Sequence, residues 1–177
     1  MVDSSTPPQL VRDLMSVGVA TCSPETALPL IAKILLEKNL DALVVLDSGE
    51  GHALGIVGQD ELIEAFSRQD AHLLKAEDIM RDGVPQVPPE IPLTAAVQIM
   101  DDLGVRALYI IHHASGIEYP AAYISYRHIL RFLAAYRDGE WQPDALRDLG
   151  IQADRQSPLE VFIQRREAAR ARNRQKK

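Results

Sequence analysis

Cysteine is nearly absent from this 177-residue chain, and long apolar runs are absent altogether. The single Cys22 excludes a disulfide within the chain and suits the reducing cytoplasm. No stretch approaches the roughly 18–20 uninterrupted apolar residues of a membrane span. Residues 1–8 lack the basic region and apolar run of a secretory signal, and we expect residues 1–9 to form a disordered lead. The sequence therefore predicts a globular protein located in the cytoplasm.

Motifs that mark common catalytic and metal sites are also missing. The sequence has no nucleophile elbow, no phosphate-binding glycine-rich loop, no Cys-x-x-Cys and no His-Glu-x-x-His. His112 and His113 are adjacent, but no further His or Cys lies at metal-ligand spacing from them. We therefore predict a protein that is not an enzyme, with no metal site and no required cofactor.

The formal charge of −6 is unevenly distributed along the chain. Residues 156–177 hold seven Lys or Arg and two Glu, a net charge of +5, which leaves −11 for the first 155 residues. An acidic body disfavours nucleic acid as a partner. The basic end leaves open binding to an acidic surface or to nucleic acid, with an affinity that would fall steeply with salt. The simpler interpretation of this end is a solvated helix.

The most informative pattern is a repeat at an offset of 65 residues. Asp13-Leu14-Met15 returns as Asp78-Ile79-Met80, and the apolar run Ala42–Leu46 returns as Ala107–Ile111. Apolar residues at i, i+3, i+4 and i+7 predict one helix face in each copy: Leu28, Ile31, Ala32 and Leu35, then Leu93, Ala96, Val97 and Met100. A period this long is a whole supersecondary unit. Two copies packed face to face would leave a pseudo-twofold cleft between them.

Each copy predicts a β-α-β-β-α unit in an α/β (α+β) fold. Its five segments are a short strand, the helix, the buried apolar strand, a further strand after a turn, and a closing helix. In the first copy the short strand is predicted at 19–22, the further strand at 53–57 and the closing helix at 60–68. In the second copy the same three elements are predicted at 84–87, 121–124 and 127–137. The turns before the further strands are predicted at 47–52 and 112–116. We assign residues 10–74 to repeat 1, 75–137 to repeat 2, and 138–177 to a helical, basic C-terminal extension.

Three duplicated features together resemble a tandem pair of cystathionine-β-synthase (CBS) domains, a Bateman module, over about Val11 to Tyr136. They are the segments 11–15 and 76–80, the Pro-Glu pairs before the first helices, and Ala53–Val57 before an acidic helix start. The resemblance implies a non-catalytic regulator that forms a homodimer and signals to a partner protein. It further implies an adenosine-containing ligand in the clefts between the repeats: AMP, ADP, ATP or S-adenosylmethionine.

In that family, a Gly-h-h-Thr/Ser-x-x-Asp element supplies a carboxylate for the ribose diol and a hydroxyl for phosphate or ribose. Repeat 1 places Gly58 at the hydroxyl position and Glu61 at the acid position; repeat 2 keeps Ser125 but places His128 at the acid position. A hydrogen bond to a charged group contributes about 1.5–3 kcal/mol, so loss of the acid would weaken ribose binding roughly 10- to 150-fold. The element is therefore eroded in both repeats.

The resemblance and the polar residues near the predicted cleft define one candidate pocket. Its six predicted residues are Thr21, Glu61, Gln86, Ser125, Arg127 and His128. Arg127 and His128, with Arg106, could instead hold phosphate. Structural roles are the alternative, since an acid or a serine at a helix start needs no ligand. The competing function is a dimeric scaffold whose nucleotide sites have degenerated.

Overall fold

The structure, a computed structural model, describes residues 7–47, 51–114, 117–142 and 144–145. Repeat 1 begins with a short helix and two short strands and continues through the predicted helix, strand, strand and helix. Its elements are α1 (Val11–Leu14), β1 (Ser16–Val17), β2 (Thr21–Cys22), α2 (Leu28–Glu37), β3 (Ala42–Leu46), β4 (Ala53–Gly58) and α3 (Gln59–Phe66). A 3-10 turn at Ala71–Leu73 connects the repeats.

Repeat 2 has the same order, except that an isolated bridge at Gln86 takes the place of a strand equivalent to β2, and it ends in a small hairpin. Its elements are α4 (Ala76–Ile79), β5 (Arg81–Asp82), α5 (Leu93–Leu103), β6 (Ala107–Ala114), β7 (Ile117–Ser125), α6 (Tyr126–Ala134), β8 (Tyr136–Arg137) and β9 (Glu140–Trp141). Gly104 ends α5 with a positive φ of 60°, a conformation that glycine adopts without steric cost. No helix in the described part of the chain has the length and apolar character needed to cross a membrane.

The two repeats complete each other's sheets. One sheet has the order β2-β3-β4-β5 and the other the order β1-β7-β6, so β1 joins the sheet of repeat 2 and β5 joins that of repeat 1. Ser16 pairs with Tyr123, and Arg81 pairs with Ile56 at the equivalent place. Gly55 makes the second exchange possible, because a Cβ there would lie 2.3 Å from the carbonyl oxygen of Arg81.

Backbone hydrogen bonds occur in pairs that the same local dyad relates. The amide of Leu28 donates to the carbonyl of Leu74, and the amide of Leu93 donates to that of Gln9 at the same distance, 2.9 Å. The short helices α1 and α4 also make equivalent hydrogen bonds, at their N-terminal ends. Asp13 accepts from the amide of Leu10, and Asp78 accepts from the amide three residues before it, at 2.9 and 2.8 Å. The predicted pseudo-twofold arrangement of two α/β repeats is confirmed.

Burial separates the two faces of the repeat-1 sheet. Leu43, Val45 and Val57 point away from the dyad and pack with the helices of repeat 1 and with Ala76 and Ile79 of the exchanged α4. Val44 and Ile56 point the other way and join the larger core that contains repeat 2. Alternation along β3 therefore gives one face to the repeat's own helices and the other to the inter-repeat contact.

The structure differs from the sequence prediction in several places. The short strand predicted at 84–87 is wrong, because this segment makes only an isolated bridge between Gln86 and Tyr109. Strand β6 runs on through Ala114, where a turn was predicted, because its pairing with β7 continues past His112–Tyr119. The closing helix of repeat 2 ends at Ala134 and not at residue 137, because the following residues form the β8–β9 hairpin. Asp138 and Gly139 both have positive φ (53° and 82°), as a two-residue type I′ turn requires.

The predicted helical extension is therefore wrong for residues 140–141, which form a strand. Residues 144–145 are helical. The remainder of the predicted extension, from residue 146 onward, lies outside the described residues, as do residues 1–6 of the predicted lead.

Candidate functional site

A cleft lies between the repeats; about 280 Å³ of space lies between its walls when the open solvent at its mouth is included, and about 20 Å³ of this is accessible to the centre of a water-sized sphere. Repeat 1 supplies the start of β3 and the β4–α3 junction, and repeat 2 supplies the segment between α5 and β6. The lining residues are Asp41, Ala42, Ile56, Gly58, Gln59, Asp60 and Glu61, with Gly104, Val105, Arg106 and Ala107. The cleft is therefore built from both copies of the repeat, as predicted from the duplication.

Two ion pairs cross between the repeats at this cleft. Arg106 donates from Nε and Nη2 to the two carboxylate oxygens of Asp60, at 2.8 and 2.7 Å. Arg127 donates from Nε to Asp41 Oδ1 at 3.2 Å. Under the repeat offsets of 65 and 67, position 41 matches 106 and position 60 matches 127. Repeat 1 thus has an acid at both positions and repeat 2 an arginine at both, so the pairs are related by the local dyad.

The two pairs differ in burial. The side chains of Arg106 and Asp60 are 46% and 49% exposed, whereas those of Arg127 and Asp41 are 35% and 9% exposed. The hydrogen bond from Arg106 to Asp60 and the negative charge of Asp60 raise the pKa of Arg106. Asp41 Oδ2 is shielded from solvent and has no hydrogen-bond partner among the described residues. The buried pair is therefore the more consequential of the two.

Glu61, predicted as the ribose ligand, has partners at both oxygens. Oε2 accepts from the amide of Gly58 at 2.9 Å, and Oε1 lies 3.5 Å from Nε of Arg81. Gly58 is tightly enclosed, because a Cβ there would lie 3.0 Å from the carbonyl oxygen of Asp41 and 3.1 Å from Glu61 Oε2. Glu61 thus caps helix α3, and a hydroxyl side chain at position 58 would need its neighbours to shift.

The equivalent residues of repeat 2 make the same capping contact. The amide of Ser125 donates to Nδ1 of His128 at 3.0 Å. Nδ1 is therefore the unprotonated nitrogen, and the Nε2–H donates to Ser16 Oγ at 2.8 Å. His128 is 1% exposed, and burial, with a smaller effect from the charge of Arg131, lowers its pKa to about 4. His128 therefore fastens the exchanged strand β1 to repeat 2.

The other predicted pocket residues occupy equivalent places in the two sheets. Thr21 pairs with Val44, and Gln86 bridges to Tyr109; both polar residues are exposed. Arg127 reaches the cleft through its contact with Asp41. The structure thus places Glu61 in the wall of the cleft and Arg127 against the wall residue Asp41, and it buries Ser125 and His128. That these residues bind a ligand stays a prediction.

Sequence reasoning missed Asp41 as a member of this site, and it noted Asp60 only as an acid one residue before the expected position, outside the predicted pocket. A signal was present in the repeat itself, because equivalent positions carry opposite charges. Tyr109 was interpreted as a core residue, and it is 1% exposed; its hydroxyl is buried without a hydrogen-bond partner among the described residues. Burial raises its pKa, with smaller effects from Tyr123 and from the charges of Asp41 and Glu61. The described residues contain no group of three or more metal-ligating side chains that could hold a metal ion.

A model of the CBS domain matches residues 11–68 and again residues 76–135. The chain therefore belongs to the CBS domain family, as a tandem pair.

Solved structures share this fold. A CBS-domain-containing protein from Agrobacterium tumefaciens matches with a TM-score of 0.63 at 20% identity, over 72% of this chain and 95% of that one. The CBS domain pair of protein MJ0100, in complex with 5′-methylthioadenosine and S-adenosyl-L-methionine, matches with a TM-score of 0.62 at 18% identity, over 74% and 100%. An uncharacterized 17.7 kDa protein of Acidianus ambivalens is 31% identical over 101 residues, which is 57% of this chain and 60% of that protein.

The unequal burial of the two ion pairs predicts unequal effects of mutation. Arg127→Met leaves the buried Asp41 carboxylate without its donor and should lower the free energy of unfolding by roughly 1–3 kcal/mol. The matched control, Arg106→Met, leaves the half-exposed Asp60 in solvent and should lower it by about 0.2–1 kcal/mol. Urea unfolding of both variants measures the difference. Equal losses, or a larger loss for Arg106→Met, would contradict this account of the cleft.

Protonation of His128 should destabilise the protein in mild acid. Its pKa is lowered from 6.5 to about 4, so the folded state binds fewer protons than the unfolded state between these values. Stability should therefore fall as the pH drops from about 6.5 to about 4, by roughly 3 kcal/mol from this group. Urea unfolding across this range should show the loss in the wild type.

Two glutamine variants isolate the contribution of His128. His128→Gln should have a shallower pH dependence over this range, whereas His72→Gln, at an exposed histidine, should keep that of the wild type. Identical pH dependence in the wild type and His128→Gln would show that His128 is not held neutral by its surroundings.

Proposed function

We propose that this protein is a non-catalytic regulator that senses an adenosine-containing ligand in the cleft between its CBS repeats and signals to a partner protein. The observation that carries the proposal is the cleft lined by both repeats, in a fold that protein MJ0100 shares in its complex with 5′-methylthioadenosine and S-adenosyl-L-methionine. Burial raises the pKa of Cys22 to about 11, which leaves little thiolate for nucleophilic catalysis. We expect the protein to act in the cytoplasm and to require no cofactor.

Signalling would work by population shift. The cleft walls come from both repeats, so a ligand that contacts both walls favours one angle between them. Helix α3 begins at the cleft with Asp60 and Glu61 and carries Ile63 and Phe66 on its exposed side. A change of angle at the cleft would therefore move a surface that another protein can contact.

A thermal-shift screen tests ligand sensing directly. The screen contains AMP, ADP, ATP, 5′-methylthioadenosine and S-adenosylmethionine, with UMP as the control without adenine. At 100 times its dissociation constant, a ligand stabilises the folded state by about 2.7 kcal/mol, which corresponds to about 5–10 °C for a chain of this size. We expect at least one adenosine compound, and not UMP, to raise the melting temperature. The sensor proposal fails if none does so at millimolar concentration.

The second candidate is a dimeric scaffold with degenerate nucleotide sites. It is favoured by the capping contacts, since Glu61 and His128 are already engaged with the backbone of their own helices. The same screen separates the two candidates, because a scaffold would respond to none of the nucleotides.

We propose further that the protein forms a homodimer through helices α3 and α6. Ile63 and Phe66 on α3 are equivalent to Leu130 and Leu133 on α6, and all four side chains are more than half exposed. Apolar side chains on two neighbouring turns of both helices would gain stability by burial against a second copy.

Acidic substitution on this face should break the dimer. Phe66→Glu combined with Leu133→Glu places charges in the proposed interface and should convert the dimer to a monomer in sedimentation equilibrium. Leu103→Glu, at the end of α5 and exposed in the monomer, should keep the dimeric mass. An unchanged mass for the double variant would show that the helices do not form the interface.

A further inference from the structure

The Asp41 carboxylate is the polar group of the cleft that the described contacts leave incomplete. The residue is 8% exposed, and Oδ1 is satisfied by Arg127. Oδ2 is equally buried and receives no hydrogen bond within the described residues. Buried carboxylate oxygens normally accept hydrogen bonds, so an exception points to a missing donor. The natural place for that donor is the cleft that Asp41 lines.

The surroundings of Asp41 define what kind of donor fits. Ile56, Val105 and Ala107 form an apolar part of the cleft wall, which suits an aromatic ring or the apolar face of a sugar. Gly58 lies directly beside Asp41 in the cleft wall, since a Cβ there would lie 3.0 Å from the carbonyl oxygen of Asp41. The compound that this combination suits has an apolar face and hydroxyl donors at its edge.

The charges of the cleft argue against a highly phosphorylated ligand. Arg106 and Arg127 are paired with Asp60 and Asp41, and Arg81 is paired with Glu61. These three arginines therefore present no uncompensated positive charge to a phosphate. In the present arrangement the cleft has room for about one water molecule, so a nucleoside can enter only when the repeats part.

We infer that Asp41, and not Glu61, binds the ribose hydroxyls of an adenosine derivative whose tail is uncharged or cationic; this inference rests on the proposed function. One carboxylate can accept hydrogen bonds from both hydroxyls of a vicinal diol. Glu61 is committed to the amide of Gly58 and to Arg81. Oδ2 is covered in the present arrangement, so the diol reaches it when the repeats part, and binding selects a more open angle between them.

Calorimetric titration with 5′-methylthioadenosine, its 2′-deoxy analogue and ATP tests the inference. The wild type should bind 5′-methylthioadenosine more tightly than ATP. Loss of a hydrogen bond to a charged group should weaken binding about 10-fold or more, both for the deoxy analogue on the wild type and for 5′-methylthioadenosine on Asp41→Asn. Asp102→Asn removes the same charge from an exposed position on α5 and should bind like the wild type.

The outcomes separate this inference from the proposed function. If 5′-methylthioadenosine binds equally well to Asp41→Asn, or if the deoxy analogue binds as tightly on the wild type, Asp41 does not hold the diol and only the inference falls. Tighter binding of ATP than of 5′-methylthioadenosine overturns the choice of tail in the same way. If no adenosine compound binds, both the proposed function and the inference fall. Because the deoxy analogue is tested on the wild type, the test does not depend on the stability of Asp41→Asn.

Discussion

The reciprocal exchange of short strands between the repeats is the constraint on which the rest of the structure depends. Strand β1 is only two residues long, yet it joins the sheet of repeat 2, and β5 does the same for repeat 1. Neither repeat can leave the other without exposing paired backbone groups, which is costly when they are buried. The exchange therefore fixes the local dyad. It also brings the start of β3 and the β4–α3 junction up to the α5–β6 segment, where the cleft forms.

The two repeats are complementary in charge at equivalent positions. Identical copies would place like charges opposite each other across the dyad, whereas here acids at positions 41 and 60 face arginines at 106 and 127. The exposed pair contributes little by itself, and the buried pair is needed mainly because the Asp41 carboxylate would otherwise lack a counter-charge. Among the residues that the structure describes, the same pairing leaves no uncompensated cation at the cleft for a phosphate chain, which connects the packing of the repeats to the choice of ligand.

Elements with a regular spacing of apolar residues could be predicted from the sequence. Elements that only tertiary contacts stabilise could not. The helices, the buried strands and their order follow from the spacing of apolar residues and were confirmed. The exchanged strand at Ser16–Val17 is too short to have a period, and the β8–β9 hairpin was overlooked although Asp138-Gly139 is a strong turn signal. At the site, Glu61 was found from its motif, but its capping role depends on side-chain geometry. Asp41 was missed because one acid before an apolar run has the pattern of an ordinary loop residue.

The central claim is that the cleft between the repeats holds an adenosine derivative by its ribose, at Asp41. A crystal structure of the full chain grown with 5′-methylthioadenosine tests it most directly. The account predicts one nucleoside between the repeats, with a ribose hydroxyl about 2.5–3.0 Å from a carboxylate oxygen of Asp41. A nucleoside bound away from this cleft, or one whose ribose contacts Glu61 in place of Asp41, would contradict it.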